Sequence, residues 1–396
     1  MMHMDSLRLA DWTARGRSSA GQDLMAVATS GDVISFCLGL PAPELFPPDL
    51  RRVAQSVLDQ PSALQYGVPA RKLKSQIVSL MARRGVRCTE EDVFLTSGAQ
   101  QGISLALTLL VERGSEVLCE EYTYFGFQQA MQSFDAELLT VPTDLSAGLD
   151  VEAVGRLLAR GTRPRLLYVV PAGHNPLGVS MSAGSRARLV ELARHYGVLI
   201  IEDDPYGFLS YDGEPDLPLR ALDEDWVIYV GSFSKLIAPS LRVGWLVAPR
   251  NVMRHLGVAK AAADIETATL SQHLVSAYLD AADFDARLSS LRGAYRVRRD
   301  AMLGALRDNF PGARWSHPSV GFFVWVELQE SVNTAEMLPA AVKEGRVAYV
   351  PGNEFRVGGA RQRDCRSLRL CFSTCTPEQV AEGIRRLRGV VGRCRH

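Results

Sequence analysis

The sequence predicts an α/β fold: a mostly parallel mixed sheet between helices, with a smaller α+β domain built from both chain ends. Three observations carry that reading. From about residue 90 to 250, short β-rich runs alternate with longer helical stretches. The runs are near-continuous Val, Ile and Leu, as expected of strands covered by helices on both faces. After Asn251 the alternation gives way to long helical segments rich in Ala, Arg and Asp.

In chain order, Pro41, Pro43, Pro47 and Pro48 make an extended connector, and a helix follows over 48–58. Strands are expected at Val93–Thr96, Glu116–Glu120, 136–141, 165–170, 198–202, 227–230 and 242–247. Helical patterns lie between several of them, at 103–111, 151–160 and Ala183–Tyr196. Beyond Asn251 helical segments run through Tyr278 and on to Arg307. A strand over 321–327, a helix near 334–345 and a strand over 367–372 then make the α+β module.

Composition narrows the function. The 396 residues hold 44 Lys+Arg against 44 Asp+Glu, which argues against a globally basic nucleic-acid binder. The length predicts two to three domains, and 47% hydrophobic with 22% charged residues suits a soluble enzyme. Seven scattered cysteines, with no Cys-x-x-Cys pair and no His at zinc-ligand spacing, read as reduced thiols of a cytoplasmic protein without a metal. The first residues carry Asp5 and Asp11 and lack an apolar core of signal-peptide length. The uncharged stretch 93–111 has the length of a membrane span, but a span there would put the amides of Gln100 and Gln101 in hydrocarbon. The runs Arg292, Arg296, Arg298, Arg299 and Arg385, Arg386, Arg388 read as solvated helix faces.

Open parallel sheets bind ligands beyond the carboxyl ends of their strands, so the residues after each run come next. After the first, Ser97-Gly98-Ala99-Gln100-Gln101-Gly102 is a small-residue turn opening a helix, and its free N–H groups suit a phosphate. Alone it is a common helix start. After the fourth, Asn175 offers a donor and an acceptor in an uncharged loop, though an ordinary Asn-Pro turn reads the same way. After the fifth come Glu202, Asp203, Asp204 and Tyr206, and an acid there is costly unless a cation meets it. After the sixth, Ser232, Ser234 and Lys235 precede Arg242, making an anion site with an amine at its edge. An amine in a partly desolvated, cation-rich site loses its proton readily, as a Schiff-base lysine requires.

With these residues in this order, the chain resembles the fold-type I pyridoxal-phosphate aminotransferases of class I/II, in the branch of 2-aminoadipate and kynurenine aminotransferases. The resemblance runs from Gly39-Leu40-Pro41 to Leu368-Arg369-Leu370; its best motif is Ser232-Phe233-Ser234-Lys235 followed by Pro239 and Leu241-Arg242-Val243-Gly244. It implies a transaminase that moves an amino group from an L-amino acid to a 2-keto acid, with 2-oxoglutarate and glutamate as one pair. By the same resemblance, Lys235 forms the internal aldimine and shuttles the proton, and Asp203 pairs with the protonated pyridine nitrogen. Tyr206 and Asn175 bond the phenolic oxygen, and Tyr124 rather than Tyr122 stacks on the ring. The phosphate meets the N–H groups of Ala99 and Gln100, with Ser232, Ser234 and Arg242 around it. Tyr66 reaches it from the neighbouring subunit of an obligate homodimer with shared active sites. Arg369 clamps the α-carboxylate, with Asn175 and Gly39 near it, and Arg17 lies on an N-terminal segment touching the substrate side chain. The implied domains are an N-terminal helix or arm, 1–47, belonging to the small domain; a large cofactor-binding domain, 48–285; and a C-terminal small domain, 286–396. Neither nucleic acid nor membrane is implied.

Ala70, Leu177 and Ser240 stand where the branch usually has Gly, Thr and Gly, and Ala99 where it often has Ser. These departures leave loop shape and substrate choice open and would suit an unusual amino acid. Three other readings compete. The same cofactor could serve a β-lyase, decarboxylase or oxidase, because a fold does not fix a reaction. A ligand-sensing module with a DNA-binding head fits poorly, with only about 35 residues before Phe36. A Ser-x-x-Lys acyl-enzyme would need Ser-Asp-Asn and Lys-Thr-Gly, which the chain lacks.

Overall fold

The structure, a computed structural model, describes residues 8–10, 12–15, 32–358 and 365–394. Its central sheet has seven strands: β1 (Val93–Thr96), β2 (Glu116–Glu120), β3 (Glu137–Val141), β4 (Leu166–Val169), β5 (Leu199–Asp203), β6 (Val227–Ser232) and β7 (Gly244–Val247). Their order is β1-β7-β6-β5-β4-β2-β3. Neighbours run parallel except at β7, which lies antiparallel between β1 and β6.

The apolar runs fill both faces of this sheet. On one, helix α1 (Ala99–Leu110) sets Ile103, Ala106 and Leu107 against Val117, Ile201, Ile228 and Leu246. On the other, the helices Val151–Ala159 and Ala183–Tyr196 cover Leu118, Leu167, Ile200 and Val227. Stretch 93–111 is therefore a strand, a turn and a buried helix, and its lack of charge follows from that burial. Among the described residues no helix is long and apolar enough to cross a membrane.

Several boundaries shift by a residue or more, and two of the shifts have clear local reasons. α1 starts at Ala99 rather than 103, because Gly98 turns the chain at φ +83 straight out of β1. β7 starts at Gly244 rather than 242, because Arg242, at φ +52, ends the turn Pro239–Leu241 in the left-handed region.

Three long helices follow: α2 (Arg250–Asp264), α3 (Thr269–Ala281) and α4 (Phe284–Asn309). α2 packs on α1, and α4 packs on α5 (Pro377–Arg393). A second sheet, antiparallel throughout, has the order β8 (Arg314–Trp315), β9 (Phe323–Glu327), β11 (Ser367–Cys371), β10 (Val350–Pro351). The early segment Ile34–Ser35 pairs in parallel with Val347–Ala348, which joins the two ends of the chain.

One expectation is corrected. The Arg292–Arg299 run of α4 is not a solvated face, for Arg298 and Arg299 are buried. Arg298 pairs with Glu44 and bonds the Ser373 carbonyl, while Arg299 pairs with Asp212 and donates 2.8 Å to the Pro318 carbonyl. Arg292 and Arg296 donate to the Phe208 and Tyr211 carbonyls. Buried guanidinium groups need such partners; Arg299 ties α4 to Asp212 in the loop after β5, and Arg298 ties it to Glu44 and Ser373.

Candidate active site

The carboxyl ends of β1, β5 and β6 open on a cavity of about 290 Å³. Its first wall is an anion cup. No side chain caps α1, so the N–H groups of its first turn stay available, with the positive end of the helix behind them. Gly98 is required at the turn: a Cβ there would sit 2.5 Å from the Arg242 guanidinium. Arg242 in turn donates 3.0 Å to the Ser97 carbonyl, which holds its charge over the turn. Ser232 and Ser234 face each other at 2.9 Å between their hydroxyls on the next strand end.

The second wall sets an amine against a carboxylate. Alternation sorts the acids at the end of β5: Glu202 accepts from the Leu219 and Arg220 backbone N–H groups, and Asp204, just past the strand, pairs with Arg84 and accepts from the Tyr229 hydroxyl, away from the cavity. Asp203 faces the other way. Its Oδ2 accepts 2.7 Å from the Tyr168 hydroxyl, while its buried Oδ1 has no partner. Burial pushes its carboxyl up to about 7, Tyr168 and Lys235 opposing. Lys235 donates 2.7 Å from Nζ to the Gly39 carbonyl. Burial brings its amine down to about 8, with Arg242 and Arg369 acting the same way and Cys371 and Asp203 opposing.

The third wall comes from the second sheet. Arg369, on β11, is buried, donates 2.8 Å from Nη1 to Asn175 Oδ1 and bonds the Cys37 carbonyl through Nη2; its Nε is unpartnered. The guanidinium lies 4.3 Å from the Phe323 ring centre and 4.7 Å from that of Phe355. Asn175 is held by a cis bond to Pro176.

The cavity thus gathers Gly39, Ala99, Gln100, Tyr124, Asn175, Asp203, Tyr206, Ser232, Ser234, Lys235, Arg242 and Arg369. Tyr122 does not line it; that ring packs on Trp325 at 4.9 Å. Tyr66 does not line it either and stands 75% exposed. Arg17 lies outside the described residues. Sequence reasoning missed Leu38, Phe125 and Phe323 on the wall, and Tyr168 behind Asp203. Tyr168 had a signal, since β4 neighbours β5 in the sheet; Phe323 had none, because its strand belongs to the other sheet.

A pyridoxal-phosphate group fits these residues. The unpartnered Asp203 oxygen suits the protonated ring nitrogen, the amine stands in the same cavity, and the uncapped helix start beside Arg242 suits the phosphate. Fold and cavity together define a pyridoxal-phosphate enzyme. The chain belongs to the class I and II aminotransferases, whose family model matches residues 32–387. It is 37% identical to aromatic-amino-acid aminotransferase 1 of Thermococcus litoralis, over 94% of this chain and 91% of that one. Among solved structures it is similar to the Pyrococcus horikoshii kynurenine aminotransferase in complex with PMP, with TM-score 0.90, 33% identity and 97% of each chain covered. The α-aminoadipate aminotransferase of Thermus thermophilus, complexed with N-(5'-phosphopyridoxyl)-L-leucine, also gives a TM-score of 0.90, with 33% identity over 98% of this chain and 97% of that one. The protein is a pyridoxal-phosphate aminotransferase that takes amino-acid and keto-acid substrates.

Proposed function

We propose that this cavity transfers an amino group from an L-amino acid to a 2-keto acid, with glutamate and 2-oxoglutarate as one pair. Lys235 anchors the cofactor, Asp203 meets its pyridine nitrogen, Tyr206 and Asn175 its phenolic oxygen, and Tyr124 its ring face. Ala99, Gln100, Ser232, Ser234 and Arg242 take the phosphate. The carrying observation is the buried Asp203 oxygen that lacks a partner, in one cavity with a lysine amine brought down to about 8.

When bound, pyridoxal phosphate supplies an electron-withdrawing ring that takes up the electron pair released at the substrate Cα. The Asp203 carboxylate keeps the ring nitrogen protonated by meeting its charge. Arg369 binds the substrate α-carboxylate, its plane fixed by the bond to Asn175 and its faces dried by Phe323 and Phe355. Lys235 Nζ, once free and neutral, would take the proton from the substrate Cα and deliver it to C4′ of the cofactor, so that the amino group stays behind when the keto acid leaves. Leu38, Leu40, Phe125 and Phe323 add an apolar wall that suits an aromatic or long aliphatic donor. The departures at Ala70, Leu177 and Ser240 bear on that choice.

The reading extends to the assembly. Domain 48–285 would carry the cofactor, with Gly39 of the segment 1–47 and Arg369 of the domain 286–396 meeting the substrate. Leu64, Tyr66 and Val68 are 65%, 75% and 88% exposed in one short segment, which supports a second copy covering them. The active form is then a cytoplasmic homodimer in which Tyr66 serves the partner's phosphate.

The test is direct. Purified protein should be yellow, and borohydride should fix the cofactor on Lys235 but not on a Lys235→Ala chain. A panel of L-amino acids should convert the bound cofactor to pyridoxamine phosphate. Wild-type protein that stays colourless with added pyridoxal phosphate would end this assignment.

A further inference from the structure

The phosphate turn is braced from behind by groups that do not line the cavity. Lys260, on α2, is only 5% exposed, unusual for a lysine. Its Nζ lies 2.7 Å from Asp264 Oδ1, one helical turn on, and donates 2.6 Å to Gln101 Oε1 and 3.4 Å to Ser97 Oγ. Asp264 Oδ2 accepts from Ser97 Oγ at 3.1 Å and from Gln101 Nε2 at 2.7 Å. Gln101 Oε1 also accepts 2.8 Å from the Ser97 backbone N–H. The Ser97 carbonyl receives Arg242. Both backbone groups of Ser97 and its hydroxyl are therefore fixed, and the residue precedes the glycine that aims the turn.

We infer that Lys260 and Asp264 are positioning residues for the cofactor phosphate, acting through Ser97 and Gln101 on the anion cup. The pair has a sign as well as a geometry. Asp264 brings a negative charge to within one hydrogen bond of a turn built to hold a phosphate, and only Lys260 among its bonded partners neutralises it. Removing the lysine loosens the turn and leaves a carboxylate that repels the incoming anion. Removing both charges relieves the repulsion and leaves only the loosening.

The inference rests on the cup taking the cofactor phosphate, so its test compares two probes that differ in that group alone. Cofactor-free wild type and variants are titrated with pyridoxal phosphate and with pyridoxal, followed by absorbance. In Lys260→Met the affinity for pyridoxal phosphate should fall about tenfold while that for pyridoxal is unchanged. Lys260→Met with Asp264→Asn should recover part of the loss, and Lys260→Arg should recover most of it. Gln101→Leu, which cuts the same bridge from α1, serves if the Lys260 variants do not fold, and should show the same selective loss. Equal losses for both probes would mean a helix pin without a phosphate role and would overturn the inference, as would no loss. A wild type that prefers neither probe would refute the cup assignment instead, so the two failures are distinct.

Discussion

At the scale of single residues, the role proposed for Asp203 sets it against the stability of the cofactor-free fold. Its carboxyl, ordinarily near 3.8, is pushed by burial to about 7. The folded chain therefore holds this proton more tightly than the unfolded chain between those values. The stability tied to it is complete below the unfolded value and is lost as pH rises through about 7. At pH 8 the cofactor-free protein carries an ionised, half-satisfied carboxylate. Asp203→Asn should then raise the melting temperature of cofactor-free protein by about 2 °C or more at pH 8. The gain should shrink as pH falls towards 4, while turnover drops about 100-fold or more. Lys235 runs the opposite way: burial lowers its amine from 10.5 to about 8. The neutral amine gains population as pH rises through that value, so capture of pyridoxal phosphate by cofactor-free protein should speed up with a midpoint near pH 8 and level off about one unit above it. Stopped-flow absorbance across pH 6 to 9.5 checks it, and a flat profile would contradict a neutral-amine requirement. Three consecutive acids were legible in the sequence, and two-residue alternation along a strand separates Asp203 from Glu202 and Asp204. What alternation cannot supply is the missing partner at Oδ1, which depends on Tyr168 of the next strand meeting only Oδ2.

At the scale of elements, the site is made by how strands end. β1, β5 and β6 were readable because strands covered on both faces need unbroken apolar runs, and their ends are marked by Gly, Ser and Asp. The antiparallel insertion of β7 was not readable, since a four-residue apolar strand looks the same in either direction. That insertion brings Arg242, one turn before β7, over the start of α1. Gly244 seats β7 there, for a Cβ on it would lie 2.7 Å from the Gly98 carbonyl carbon. Burial of Arg298 and Arg299 was likewise hidden, because an arginine run on a helix has the same pattern whether water or carbonyl groups meet it. The junction of β1 and α1 gives a prediction of its own. Gly98→Ala places a side chain at φ +83 and against Arg242, and should destabilise the fold by roughly 1–2 kcal/mol. Its larger effect should fall on phosphate binding: equilibrium dialysis should show pyridoxal phosphate affinity reduced by about tenfold or more, since the turn and Arg242 shift together.

At the scale of the whole molecule, one cavity draws Gly39 from near the start of the chain, Lys235 from the large sheet and Arg369 from the second sheet. The parallel pairing of Ile34–Ser35 with Val347–Ala348 holds the first and last of these in one frame. Within that frame Tyr66 stands apart, exposed and off the cavity wall of its own chain. Shared sites in a homodimer would give it a task, and that arrangement makes a test by mixing. On the proposed role of Lys235, a Lys235→Ala chain should not anchor the cofactor but keeps Tyr66. A Tyr66→Ala chain keeps Lys235 but should hold the cofactor poorly at low concentration. If Tyr66 crosses the interface, a mixed dimer has one site with both defects and one with neither. Random reassortment of equal amounts makes about half of the dimers mixed, so about a quarter of all sites become complete. Activity at limiting pyridoxal phosphate should then rise above the average of the separate variants after the chains are unfolded and refolded together, but not after simple mixing of folded dimers. If Tyr66 serves its own chain, no mixed dimer holds a site better than those of the Tyr66→Ala homodimer. The refolded mixture would then stay at the average.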